Sequence, residues 1–249
     1  MKLLLIILRF PFLIIHVAFG LFILVFFPKH KHKLSETHFF IVVTWMRILA
    51  FLLGLKIKTK GKKNDACAAF ISNHVSYLDI VVLNSMLPIN FIAKSEIESW
   101  PIIGYLASRS GNLFIKRGDK NSSDEMISSI KNHLSSKNKI LFFPEGRIGD
   151  GISIKKFHSK LLNSIANSRL KIQPLSIRYP SNYPEDLSSD NCLVSPDDSQ
   201  TLFSVGIRCL GRWSTIVLVN FEDLIDTSNL DATQIARLSA ASVAKSLSI

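Results

Sequence analysis

The 249-residue sequence carries 30 Lys and Arg against 19 Asp and Glu, a formal charge of +11, yet 47% of it is hydrophobic and its mean hydropathy is +0.26. That pairing points to an anionic membrane surface or anionic substrate more than to nucleic acid. Cys67, Cys192 and Cys209 are odd in number, far apart and free of CxxC spacing, which excludes a disulfide framework or a cysteine zinc site and fits a reducing compartment.

The N-terminus reads Leu3 to Leu8, Arg9, then Phe10 to Phe27 with His16 as the titratable interruption. About 20 apolar residues are enough to span a bilayer. The run has no clear small-residue cleavage site at its end, so it reads as a retained anchor rather than a secretory signal. The basic segment Lys29-His30-Lys31-His32-Lys33 follows, then a second apolar stretch from Phe39 to Leu55 and a cluster of Lys56, Lys58, Lys60, Lys62 and Lys63. Two full spans would put the Lys29 to Lys33 cluster outside, against the positive-inside rule. The expectation is a membrane-anchoring helical hairpin over 1–54, its first element spanning or dipping into the membrane and its second lying along the membrane as hairpin partner, with Trp45 and Arg47 at the interface. His30 and His32 read as a solvated flank rather than a metal site.

Beyond Leu55, short apolar runs alternate with amphipathic stretches, the signature of an α/β domain, here 55–249. Strands are predicted over Leu55–Thr59, Cys67–Ser72, Ile89–Ala93, Asn112–Lys116, Lys139–Phe143, Ile172–Arg178 and Thr215–Asn220. Helices are predicted over Leu78–Leu87, Pro101–Ser108, Ser122–Leu134, Ser159–Ser168 and Ala232–Leu247, the last capped by Asp231. Pro180 to Asp198, rich in Ser, Asp, Asn and Pro, reads as an irregular surface excursion. The fold class is α/β, a central mixed sheet flanked by helices and preceded by the hydrophobic hairpin.

Within the domain, His74 sits at a strand exit and Asp79 in the first turn of the next helix. A carboxylate there fixes the tautomer of the imidazole and stabilises its cation, as a general base for an alcohol requires. The bland alternative has Asn73 and His74 capping a helix with an acid in its first turn. Gly111 to Arg117 reads as a strand opened by glycine and closed by Lys116 and Arg117, and Phe143-Pro144-Glu145-Gly146-Arg147 as a strand running into a tight turn. In α/β sheets functional groups gather at strand ends. No Gly-x-Ser-x-Gly elbow is present, which excludes that serine-hydrolase arrangement.

These blocks, with Ile172-Gln173-Pro174-Leu175-Ser176-Ile177 and with Lys94 in Ala93-Lys94-Ser95-Glu96, resemble the ordered motifs of the 1-acyl-sn-glycerol-3-phosphate acyltransferases and their glycerolipid relatives. The resemblance covers Leu55 to Asn220 and the hydrophobic N-terminus. It implies His74 and Asp79 as the catalytic pair, and Lys94, Gly111, Arg117, Glu145, Gly146 and Arg147 as substrate-binding residues. Within that set Glu145 would orient the cations or the acceptor, and N–H groups around Gly146 would polarise the thioester. It further implies acyl-CoA or acyl-ACP as co-substrate with no cofactor and no metal, a lysophospholipid acceptor, membrane lipids as partners, and a catalytic domain on the cytoplasmic side of the membrane, the inner one in a bacterium. The family commonly carries Glu-Gly-Thr-Arg, whereas Arg147 directly follows Gly146 here, which keeps an acceptor such as a lyso-ornithine lipid open. A non-catalytic membrane- or nucleic-acid-binding protein is the distant alternative.

Overall fold

The computed structural model describes residues 1–26, 34–116, 120–151, 153–190, 193–194 and 201–247. The strands are β1 (Leu55–Lys60), β2 (Ala69–Ser72), β3 (Ile89–Lys94), β4 (Leu113–Ile115), β5 (Lys139–Phe142), β6 (Lys171–Arg178), β7 (Pro180–Asn182), β8 (Asp186–Ser189), β9 (Thr215–Phe221) and β10 (Ile225–Asp226). The helices are α1 (Lys2–Val25), α2 (Glu36–Leu52), α3 (Leu78–Met86), α4 (Ser95–Glu98), α5 (Ile103–Arg109), α6 (Lys120–Ser135), α7 (Leu202–Leu210) and α8 (Ala232–Leu247).

One mixed sheet runs β1-β9-β6-β2-β5-β3-β4, with β10 added on β6. From β6 to β4 the neighbours are parallel; β9 is antiparallel to β6, with Leu175 opposite Phe221, and β1 is parallel to β9. Because both faces are covered, the central strands read as unbroken apolar runs. Phe70, Leu141, Leu175 and Ile177 face Leu53, Val82, Leu83, Val205 and Cys209 from α2, α3 and α7. Ala69, Ile71, Ile140 and Ile172 face the other way, onto Ile130 of α6 and Ile235, Ala236 and Val243 of α8.

The predicted cap of α8 is present: Asp231 Oδ1 accepts from the N–H groups of Thr233 (2.7 Å) and Gln234 (2.8 Å), and the Gln234 side chain accepts from the Asp231 N–H. Three expectations are corrected. Ser159–Ser168 is not an α-helix but a 3₁₀ turn over Lys160–Ser164. There Asn163, Ser164 and Ser168 turn their side chains back onto the carbonyls of Lys160, Leu161 and Ile165, which competes with regular helix. Within Pro180 to Asp198, residues 180–189 form the β7–β8 hairpin rather than an irregular loop. Finally, α7 was not anticipated; it is opened by a capping box between Thr201 and Ser204.

In the second apolar stretch Trp45 stacks on His16 of α1 at 4.6 Å and donates its indole N–H to the His16 carbonyl. Gly20 gives it room, since a Cβ there would come within 2.5 Å of the indole nitrogen. Arg47, though exposed, turns its Nε to the Ser85 carbonyl of α3 at 2.9 Å. Among the described residues α1 is the one helix long and apolar enough to cross a membrane. One stripe of it, Leu5, His16, Gly20 and Leu24, is buried against the protein, while Leu4, Leu8, Phe12, Ile15, Phe19 and Phe22 are exposed. The Lys29 to Lys33 cluster lies outside the described residues.

Candidate active site

Since β2 to β6 run in one direction, their C-terminal ends share one edge of the sheet. His74 follows β2 there, Lys94 ends β3, and Glu145, Gly146 and Arg147 follow β5. Arg117, just past β4, lies outside the described residues. Gly111 is at the opposite, N-terminal end of β4 and is not brought together with the others. Its φ of 89° and a Leu34 methyl 2.6 Å from where a Cβ would stand give it a turn-forming role instead.

His74 Nδ1 lies 2.7 Å from Asp79 Oδ2, an oxygen that also accepts from the backbone N–H groups of Val75 (2.8 Å) and Ser76 (3.1 Å). The tight loop between β2 and α3 thus folds its own amides onto the first-turn acid. Asp79 is fully buried. Its second oxygen takes a 2.6 Å hydrogen bond from the Tyr179 hydroxyl, one residue past β6. Burial first, and then the Asp79 charge, push the Tyr179 phenol well above its ordinary range, so it stays a donor. The carboxylate therefore fixes the proton on Nδ1 and leaves Nε2 with its lone pair free. The imidazole is stacked on Phe143 at 4.0 Å, and its side chain is only 16% exposed.

Asn73 supports the same loop by clamping the backbone of Ile177 in β6: its side chain donates to the Ile177 carbonyl and accepts from the Ile177 N–H, both at 2.9 Å. Ser76 reaches the Leu193 carbonyl at 2.6 Å. Ser76 is thereby occupied as a buried strut and is not offered as a nucleophile.

Among the described residues Glu145 binds main-chain N–H groups rather than a cationic side chain. Its Oε1 accepts from the His74 backbone N–H at 3.0 Å and its Oε2 from the Lys155 N–H at 3.3 Å. Burial drives its pKa up to about 7, with those two N–H groups pulling the other way. It ties the β5 turn to the β2 loop, as does the 2.6 Å bond from the Gly149 N–H to the His74 carbonyl. Gly146, at φ 70°, makes the turn, and its N–H is spent on the Phe143 carbonyl, which removes it as a donor to the thioester. Arg147 is exposed on the rim of a groove of about 570 Å³ floored by Ile92, Ile115, Phe142 and Phe143. His158 and Lys160 stand on the same rim and Lys94 is exposed at the end of β3.

Three residues of this arrangement escaped the sequence reading. Tyr179 lies 100 positions from its partner Asp79, and no local pattern announces that contact. His158 and Lys160 lay inside a segment read partly as helix.

Residues 56–178 match the acyltransferase family, a stretch that holds every one of these side chains except Tyr179. This stretch belongs to that family of acyltransferases. The lyso-ornithine lipid O-acyltransferase of Pseudomonas aeruginosa is 29% identical over 194 residues, covering 78% of this chain and 72% of that protein. The lyso-ornithine lipid O-acyltransferase of Rhizobium meliloti is 32% identical, over 54% of this chain and 49% of that one. A 1-acyl-sn-glycerol-3-phosphate acyltransferase of Neisseria meningitidis is 30% identical, over 53% of this chain and 52% of that one. The matches to the latter two thus span about half of their lengths. The crystal structure of the 1-acyl-sn-glycerophosphate acyltransferase PlsC from Thermotoga maritima superposes with a TM-score of 0.68 over 99% of this chain and 95% of that one, at 17% identity; the two share the fold.

Proposed function

We propose that this acyltransferase moves a fatty acyl group from an acyl thioester of coenzyme A or acyl carrier protein to the free hydroxyl of a lysophosphatidate, forming phosphatidate at the membrane. The observation that carries this reading is the His74–Asp79 pair, with Asp79 saturated by four donors and Nε2 of His74 left open. Nε2 takes the proton from the lysolipid hydroxyl as the oxygen attacks the thioester carbonyl. Collapse of the tetrahedral intermediate breaks the C–S bond, and the imidazolium returns its proton to the departing thiolate. The buried Asp79 carboxylate stabilises the imidazolium between the two transfers. No covalent acyl-enzyme is needed.

Arg147 and Lys94 offer charge for the acceptor's phosphate at the same sheet edge, and the motif that ends in Arg117 supplies a third cation for it. The apolar floor of the groove suits an acyl chain. α1, packed along one stripe and apolar on the other, holds the domain to the membrane, so the lysolipid need not be drawn fully into water at about 0.8 kcal/mol per CH₂. The domain faces the cytoplasm, where the thioester donors are, at the inner membrane in a bacterium.

A lyso-ornithine lipid acceptor is the second reading. It is favoured by the names of the Pseudomonas and Rhizobium relatives and by the shortened Glu145-Gly146-Arg147 turn. Purified protein incubated with lysophosphatidate, lyso-ornithine lipid and neutral lysolipids, with acyl-CoA and acyl-ACP in turn, decides between them by product mass. Phosphatidate as the main product supports the first reading, and acylated ornithine lipid replaces it with the second.

A further inference from the structure

Away from His74, four large apolar side chains converge on one groove of about 520 Å³: Leu8 and Phe12 of α1, Phe51 near the end of α2, and Trp213 between α7 and β9. They are not tucked into it; Phe51 is 79% and Trp213 72% exposed. A monomeric soluble protein seldom leaves large apolar groups clustered in this way. The cluster is held firmly. The Arg9 guanidinium donates to the carbonyls of Leu210, Arg212 and Trp213, which fastens α1 to the end of α7, and the Thr215 N–H donates to the Gly54 carbonyl at 2.9 Å.

Two further facts identify what covers it. Arg9 and Lys56 line the groove without an acidic partner among the residues that form it, so the patch is apolar and cationic together. A second copy of the chain would bring these cations face to face, whereas anionic headgroups complement them. The patch also lies on the side of the sheet that holds the active site: β9 runs antiparallel to β6 with Arg178 opposite Leu218, so the start of β9, next to Trp213, lies three residues beyond the end of β6, in the direction that β2 points. At about 4.8 Å per strand and about 3.3 Å per residue, it stands two strands across from β2 and roughly 20 Å beyond the level of Ser72.

We propose that Trp213 and Phe51, with Phe12 and Leu8 of α1 and rimmed by Arg9 and Lys56, form a second membrane contact, through which the globular domain itself docks on an anionic bilayer. This rests on the membrane reading above and adds to it. The apolar helix tethers the chain, while the patch sets the tilt of the domain and turns the His74 edge towards the lipid surface. Tryptophan suits such a position because its ring prefers the interface, with an apolar body and a polar N–H.

The test uses the full chain reconstituted in phosphatidylethanolamine/phosphatidylglycerol vesicles. The Trp213 emission is isolated as the difference between wild type and Trp213→Leu, and brominated acyl chains are expected to quench it. Trp213→Ser should lower transfer to a vesicle-borne lysophosphatidate about ten-fold, the equivalent of about 1.4 kcal/mol, on losing burial of one large side chain. Transfer to a short-chain lysophosphatidate dissolved as monomers should be unchanged, Trp213→Tyr should recover the vesicle rate, and Phe51→Ser should repeat the loss. Quenching of the Trp213 component by iodide to the same extent with and without vesicles would overturn the proposal, as would equal loss on both substrates. If the wild type transfers nothing to lysophosphatidate, the acceptor assignment fails, and the quenching still decides the docking.

Discussion

Replacing Tyr179 with Phe removes a single 2.6 Å hydrogen bond from the buried Asp79 carboxylate and leaves the ring in the core. Hydrogen bonds to a charged group are worth about 1.5–3 kcal/mol, so the folded protein should lose about that much stability. The carboxylate, with one donor fewer, is free to turn and holds the His74 ring less firmly. Because Oδ2 keeps its three donors, kcat should fall by about ten-fold rather than vanish. The assay is acyl-transfer kinetics beside a thermal melt. A lowered melting temperature with unchanged kcat would make Tyr179 a strut of the core with no part in orienting His74.

Asp79→Asn can keep an oxygen towards His74 while losing the charge, so kcat should drop strongly, by about 10²-fold or more, with a smaller change in KM; an unchanged kcat removes Asp79 from the reaction. Glu145, with a pKa raised from 4.5 to about 7, favours the folded state while protonated. That contribution is complete below about pH 4.5 and is lost as pH rises through 7, at most about 3 kcal/mol. Glu145→Gln should flatten the decline in stability between pH 5 and 7, and parallel denaturation curves for the two proteins would contradict it. Arg147→Ala should raise the KM for lysophosphatidate about ten-fold and leave that for the thioester donor nearly unchanged; equal effects on both would detach Arg147 from the acceptor's phosphate.

The His74–Asp79 contact was legible in the sequence because the two residues are local: five positions, a strand end and one helical turn bring them together whatever the rest of the sheet does. Strand existence was equally legible, since β2, β5 and β6 are covered on both faces and read as solid apolar runs. Some of what failed was local, as in the 3₁₀ turn at Lys160–Ser164, and the rest depends on contacts distant in sequence. Glu145 reads as an acid among cations, yet its partners are the main-chain N–H groups of His74 and Lys155. Gly111 is part of a motif strand, but it precedes β4, at the end away from His74 and Lys94. The packing of Trp45 on α1 and the bond from Arg47 to α3 have no local signal, and α7 is hidden behind a polar, serine-rich approach.

The central claim is that His74 acts as the base for acyl transfer to a lysolipid, and the most direct measurement is turnover of His74→Ala beside its thermal transition. The imidazole is held mainly by Asp79 and the face of Phe143, so its removal should leave the melting transition in place and abolish formation of the acylated lipid. Turnover within a few-fold of wild type in a folded His74→Ala protein would contradict the account.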